Sequence, residues 1–291
     1  MFRRESRPDI LVAAWPADGE RGRNWGDKLN PYLIHKLSGL PVANAGQVAG
    51  WGDRPVQRVI GSSLALMGPN DVIWGMGFID SSAVPEHRTA RIHAVRGPLT
   101  RARLLELGID CPDVYGDPAV LCPLFIRPEV EPTYDVGVIH HFAETVALPS
   151  ARIADGASVR VIDIRGAIPG VIEEILSCRV IVSSSLHGII GAHAYGRPAY
   201  WLKASDLPLG DDLKYHDYFA SIGHRDVVPL TLDADGSVRL DGQPTLPVPG
   251  VLDVEALLEA CPFMQPDRVR VLLRRRRELA DGGRRGTIFG A

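Results

Sequence analysis

The stretch Arg179-Val180-Ile181-Val182-Ser183-Ser184-Ser185-Leu186-His187-Gly188-Ile189-Ile190 decides the fold. A short apolar run ends in serines and a histidine, and an apolar helix follows until Gly196-Arg197-Pro198. Strand, turn and helix in that order make the repeating unit of parallel α/β sheets. The start of the helix leaves backbone N–H groups without intrahelical acceptors, and the helix dipole adds about half a positive charge there. Hydroxyls, free N–H groups and an imidazole therefore converge where a phosphate or carboxylate would be held. The bland reading of His187 is a satisfied core histidine. Its setting in the first turn, behind the serines, points instead to chemistry on an anion.

Outward from this motif, the same alternation fills the chain. In a first block, residues 10–14, 56–60, 71–74, 91–95 and 114–115 read as strands, and 27–37 and 99–107 as helices. Pro98 and Gly108 bound the second helix in the expected positions. Residues 123–132, with Pro123, Pro128 and Pro132, read as a linker. A second block has strands at 135–139, 159–164 and 199–202, with helices at 169–177 and 211–220. Residues 229–250 are rich in Gly, Pro and Asp and read as an irregular hairpin or loop. No internal repeat is visible. The fold expected is α/β: two Rossmann-like domains over 1–127 and 128–265, each with its own core, facing a cleft. A basic helix and tail follow over 266–291. Ligands in such folds sit beyond the carboxyl ends of the strands.

Composition narrows the function. The 291 residues are 45% hydrophobic and 23% charged with a net charge of −3, so nothing draws the whole chain to nucleic acid. Cys111, Cys122, Cys178 and Cys261 are scattered without a C-x-x-C pair, which argues against a structural zinc site and for a reducing compartment. No apolar run is long enough to span a bilayer. Residues 1–9 are polar, so export is not expected and the cytoplasm is the default location. Arg268, Arg270, Arg274 to Arg277, Arg284 and Arg285 crowd the C-terminal region.

Candidate site residues lie in the turns after strands. Asn24-Trp25-Gly26-Asp27 precedes a helix, with Asp27 a plausible N-cap. Gly61-Ser62-Ser63 and Gly75-Met76-Gly77 let backbone approach a ligand, or simply permit tight turns. Arg96 ends a strand at a helix start, the wrong end for dipole compensation, so an anion opposite it is favoured over an ion pair with Asp117 or Glu106. Asp117, in Gly116-Asp117-Pro118, could be a base, could orient another side chain, or could be ordinary turn chemistry. Of His140 and His141, strand alternation lets at most one face the cleft. Lys214 and Tyr215 suit a sugar or anion contact, or equally a solvated amphipathic helix.

The order of these motifs matters more than any one of them. N-W-G-D, G-S-S-L, W-G-M-G, V-R-G-P-L-T-R, Y-G-D-P, H-H-F, S-S-S-L-H-G and K-Y-H-D-Y run collinearly from about residue 24 to 220. The series resembles the polysaccharide pyruvyl transferase family, most of all the ketal pyruvyl transferases of xanthan- and succinoglycan-type exopolysaccharide synthesis. The resemblance implies a glycosyltransferase-B-like pair of Rossmann-type domains. It also implies transfer of pyruvate from phosphoenolpyruvate to two hydroxyls of a terminal sugar on a lipid-linked oligosaccharide, as a cyclic ketal. No further cofactor and no metal are implied.

On that resemblance His187 is assigned to proton transfer, with Asp27 or Asp117 as base. Arg96, Ser183, Ser184, Ser185, Leu186 and Lys214 would hold phosphoenolpyruvate. Asn24, Gly26, Ser62, Gly75, Gly77, His141 and Tyr215 would line the acceptor cleft. Many family members carry arginine where this chain has Ser185, so the positive charge must come from Arg96, Lys214 or Arg197. The acceptor's lipid implies the inner face of the cytoplasmic membrane, and the C-terminal arginines either meet that surface or flank a helix packed on the N-terminal domain. A nucleotide-sugar glycosyltransferase on the same frame, and a non-catalytic glycan- or anion-binding subunit, are the rival readings.

Overall fold

A computed structural model describes residues 10–47, 53–144, 156–207, 210–233, 237–240 and 252–281. The protein is α/β, with two parallel five-stranded sheets. The first contains β1 (Leu11–Ala13), β2 (Val42–Asn44), β3 (Val56–Arg58), β4 (Asp71–Trp74) and β5 (Arg91–Ala94), in the order β2-β1-β3-β4-β5. The second contains β6 (Tyr134–Ile139), β7 (Val159–Ile162), β8 (Cys178–Ser183), β9 (Ala199–Lys203) and β10 (Leu230–Thr231), in the order β10-β9-β8-β6-β7. Read from the other edge, the second order repeats the first. The chain is thus a topological duplication that its sequence does not display. Doubly wound, Rossmann-like sheets of this order bind ligands where the winding reverses, here between β1 and β3 and between β6 and β8. The serine–histidine motif follows β8.

Helices α1 (Gly19–Arg23), α2 (Trp25–Ser38), α3 (Pro98–Glu106), α4 (Ile168–Leu176), α5 (Leu186–Ala194), α6 (Leu213–Ser221), α7 (Val254–Glu259) and α8 (Pro266–Asp281) surround the sheets. Strand alternation divides the apolar side chains cleanly. Val138, Val182, Tyr200 and Leu202 pack on the outer face of the second sheet, while Ile139, Ile181, Ala199 and Trp201 face inward. Likewise Ile73 belongs to an outer cluster of the first sheet and Trp74 to the inner one.

Three expectations are corrected. The two units do not have wholly separate cores: one inner cluster joins Trp25, Leu29 and Trp74 to Ile172, Ile190 and Tyr218. Residues 123–132 do not begin as a linker, because Pro118–Leu124 forms a buried 3-10 turn within that cluster. The stretch read as a hairpin or loop contributes β10, which pairs with β9 in parallel, so a crossover replaces the hairpin. Its remainder over 234–236 and 241–250 falls outside the described residues. After it the chain returns to the first unit. Trp74 Nε1 donates to the Leu257 carbonyl (2.9 Å) in α7, and Arg268 Nη2 to the Lys36 carbonyl (2.6 Å). Helix α8 buries Leu272 and directs Arg276 and Arg277 to Glu255.

Candidate active site

The turn after β8 presents His187 in the first turn of α5, 9% exposed. Its Nε2 lies 3.5 Å from Asp117 Oδ2, and neither atom has a hydrogen-bond partner among the described residues. Asp117 belongs to the first unit, where it is the N-cap of the 3-10 turn; its Oδ1 accepts from the Ala119 N–H (3.0 Å). The pair therefore spans the two units. With Nε2 buried and directed at Asp117, the ring's remaining access runs along its other edge, which carries Nδ1.

Gly26 explains how the ring fits. A Cβ there would stand 2.2 Å from His187 Nδ1, so the α2 start and the imidazole come together only because residue 26 has no side chain. Asp27 is not the N-cap. Asn24 holds that position without a side-chain cap bond, and its Nδ2 donates to Asp27 Oδ2 (3.0 Å) inside the first turn. Asn24 Oδ1 is buried without a hydrogen-bond partner among the described residues. Trp25 N–H and Nε1 donate to the Ile164 and Ile168 carbonyls, and Lys28 Nζ to those of Arg165 and Gly166, which fixes this turn against the second unit.

The serines divide their duties. Ser183 Oγ accepts from the Ser185 N–H and donates to the Ser185 carbonyl, closing the turn, so it is not free for a ligand as expected. Gly188 is required behind it, since a Cβ would sit 2.4 Å from that hydroxyl. Ser184 Oγ donates to Glu144 and accepts from the His141 N–H (2.9 Å), and so is also engaged. Ser185 makes no side-chain cap bond, and the first helical bonds run from Gly188 and Ile189 to its carbonyl. The N–H groups of Leu186 and His187 precede them.

Glu144 was not singled out in the sequence. It also accepts from Ser205 Oγ (2.8 Å) and lies in a loop without periodicity, where a lone carboxylate gives no signal. Burial drops the His141 imidazole to about 3, with Lys214 and His187 adding to the effect, so His141 is neutral at physiological pH. Its Nδ1 accepts from the Ala143 N–H. Lys214 and Tyr215 are buried, not on a solvated helix face. Tyr215 stacks on Trp201 at 4.5 Å and donates its hydroxyl to the Ser184 carbonyl (2.6 Å).

Arg96 is not free to meet an anion, and neither Asp117 nor Glu106 pairs with it. It is fully buried; Nε donates to Asp217 Oδ2 (3.0 Å), Nη1 to Ser62 Oγ (2.8 Å) and Nη2 to the Phe78 carbonyl (2.6 Å). Asp217, on α6, also accepts from the Thr100 N–H and hydroxyl, capping α3 from the other unit. Gly77 and Gly75 serve this packing instead of a ligand. A Cβ at Gly77 would stand 2.5 Å from the Arg96 guanidinium, and one at Gly75 would stand 2.2 Å from Pro118.

Two cavities, of about 190 and 640 Å³, lie elsewhere. The smaller flanks Tyr215 beside Lys203 and Asp212; the larger is an open groove along α4. The geometry that carries chemistry is the His187–Asp117 junction, which neither cavity includes. Among the described residues no cluster of His, Cys, Asp and Glu forms a metal site.

A family model described as polysaccharide pyruvyl transferase matches residues 87–206. An uncharacterized protein of Acanthamoeba polyphaga mimivirus is 33% identical over 208 residues, 69% of this chain and 71% of that protein. The chain belongs to the polysaccharide pyruvyl transferase family. The succinoglycan biosynthesis protein ExoV of Rhizobium meliloti (strain 1021) is 29% identical over 213 residues, 69% of this chain and 62% of ExoV, so the chain spans less than two thirds of that relative. The segment matched by the family model contains Arg96, Asp117, His141 and His187. The Asn24–Asp27 turn and the Lys214–Asp217 helix, which complete the site, lie outside it.

Proposed function

We propose that this polysaccharide pyruvyl transferase family member moves pyruvate from phosphoenolpyruvate onto two hydroxyls of one sugar, as a cyclic ketal, in exopolysaccharide synthesis. The observation that carries the reading is the buried, interdomain His187–Asp117 pair at the helix N-terminus after β8. The family match and the likeness to a succinoglycan biosynthesis protein support the substrate class. Two units meeting at strand C-terminal ends agree with a glycosyltransferase-B-like arrangement.

Phosphoenolpyruvate becomes electrophilic at C2 once C3 takes a proton. In this reading the exposed edge of His187 delivers that proton while Asp117 fixes the ring from the opposite nitrogen. The first sugar hydroxyl adds to C2 and gives up its proton, the C2–O bond to phosphate breaks, and the second hydroxyl closes the ketal. Of the two hydroxyl protons, one replaces that given to the methyl carbon and the other leaves with phosphate. Asp117 is committed to His187 and Ala119, so Asp27, half-buried beside Gly26, takes the role of base. The acceptor is a lipid-linked oligosaccharide. Arg270 and Arg274, exposed on α8, would meet an anionic inner leaflet at about 1 kcal/mol each.

The test is phosphate release from phosphoenolpyruvate in the presence of a lipid-linked oligosaccharide. Wild type is expected to release one phosphate per sugar modified, and His187→Ala about a hundred- to ten-thousand-fold more slowly. Near-full turnover by His187→Ala would refute the assignment. Flotation with anionic liposomes tests the membrane contact: R270E/R274E should bind less, and unchanged binding would remove these arginines from it.

A further inference from the structure

Glu144 lies half-buried in the loop after β6, and its carboxylate gathers donors from three strand ends. Oε2 accepts from the His141 N–H (3.1 Å) in the same loop and from Ser184 Oγ in the turn after β8. Oε1 accepts from Ser205 Oγ (2.8 Å) in the loop after β9. Strands β9, β8 and β6 are neighbours in the second sheet, so one side chain pins adjacent strand ends together at the carboxyl edge. A carboxylate suits this place, because both oxygens accept and its hydrogen bonds are charge-assisted. The reaction proposed above assigns it no part.

What Glu144 holds is the residue that sets the turn before His187. Ser184 is 1% exposed, and each of its polar groups is engaged. Its N–H donates to the Ile139 carbonyl (3.0 Å) at the end of β6, and its carbonyl accepts from the Tyr215 hydroxyl (2.6 Å) on α6. Its Oγ donates to Glu144 and accepts from the His141 N–H (2.9 Å). Ser183 Oγ closes the turn on Ser185, whose carbonyl then receives the first helical bonds of α5. A shift of Ser184 is therefore passed to His187, three residues on. The ring there has little slack, with Gly26 against Nδ1 and Asp117 3.5 Å from Nε2.

We propose that Glu144 is a positioning residue for His187, acting through Ser184 to hold the imidazole between Gly26 and Asp117. That His187 delivers a proton to phosphoenolpyruvate rests on the function proposed above; that its ring is held from Glu144 does not. The role is one of reach, not of charge. In Glu144→Gln the amide oxygen can still accept from Ser184 Oγ and the His141 N–H. The amide nitrogen can donate to Ser205 Oγ, whose own proton has the Leu207 carbonyl as another acceptor (2.9 Å). In Glu144→Ala the Ser184 hydroxyl loses its acceptor, and the turn is left to the bonds from Ile139 and Tyr215. A carboxylate that acted itself as acid or base would fail in both variants.

The test compares wild type, Glu144→Ala, Glu144→Gln, Ser184→Ala and E144A/S184A, with melting temperatures recorded. One readout is phosphate release from phosphoenolpyruvate with a lipid-linked oligosaccharide. The other is NMR of the histidine ring nitrogens without substrate, the His187 signal being identified by its loss in His187→Ala. Glu144→Ala and Ser184→Ala are expected to lower kcat about a hundredfold and to move the His187 signal. Glu144→Gln should stay close to wild type in both readouts. The double variant should be no slower than the slower single one, since both substitutions break the same link. The proposal is overturned if Glu144→Gln is as slow as Glu144→Ala, if the His187 signal stays in place in Glu144→Ala and Ser184→Ala, or if the losses multiply in the double variant. Should Glu144→Ala fail to fold, Ser184→Ala breaks the link from its other side and carries the test. A His187 signal that follows this pattern in a protein releasing no phosphate would uphold the inference and refute the proposed reaction.

Discussion

At the scale of single residues, the site works through side chains that are absent as much as through those present. Gly26 leaves room for the His187 ring, so Gly26→Ala should displace the imidazole and cut turnover far more than it lowers the melting temperature. Side-by-side kinetics and thermal melts check this. Asp117→Asn should lower kcat by about 10²–10⁴ with little change in KM for phosphoenolpyruvate, because it loosens the acid without touching the substrate. A matching rise in KM would instead place Asp117 on the substrate. For Lys214 the pH sign is fixed: the folded value, about 8, lies below the unfolded lysine value, so the burial penalty is full at lower pH. It is relieved as pH climbs from about 8 toward 10.4. Wild type should therefore gain stability relative to Lys214→Met across that window in denaturant titrations. His187 was legible from its place after a strand and behind serines. Arg96 misled because its charge pattern fits an anion and a buried partner equally, and Asp217 lies far along the chain.

At the scale of elements, strands and helices with strong apolar periodicity were readable and those without it were not. β8 and α5 stand where the reading put them, within a residue or two. β2 (Val42–Asn44) is too short to alternate, and β10 is a two-residue strand that owes its place to β9. Helix α7, six residues long, is held by its Asp253 cap and by buried Val254, Leu257 and Leu258, a pattern too brief to stand out. The arginine-rich end of the chain reads as a basic helix that either meets a membrane or packs on the N-terminal domain, and α8 docks through Leu272, 1% exposed. Leu272→Ala should cost about 2–5 kcal/mol in equilibrium unfolding; a value near zero would mean that α8 is not docked.

At the scale of the molecule, the two sheets repeat one topology yet are not independent bodies. Asp217 caps α3 and neutralises Arg96 across the junction, both side chains fully buried, and one apolar cluster runs through both units. Asp217→Leu should therefore cost about 3–5 kcal/mol by stranding Arg96, and R96M/D217L should recover much of that loss in chemical unfolding. Full retention of stability in the single variant would show that the junction does not depend on this pair. Such a junction was beyond sequence reading, because Arg96 reads as a strand-end cation and Asp217 as one polar residue of a helix in the other unit. It is also what brings His187 of one unit to Asp117 of the other, and so supports the proposed reaction. That reaction is tested most directly by mass spectrometry of the sugar product formed in D₂O from phosphoenolpyruvate. The expected product has gained one pyruvate less one water and carries one solvent deuterium on the new methyl group. A hexose-sized gain, or a pyruvate ketal without deuterium in that methyl, would contradict the account.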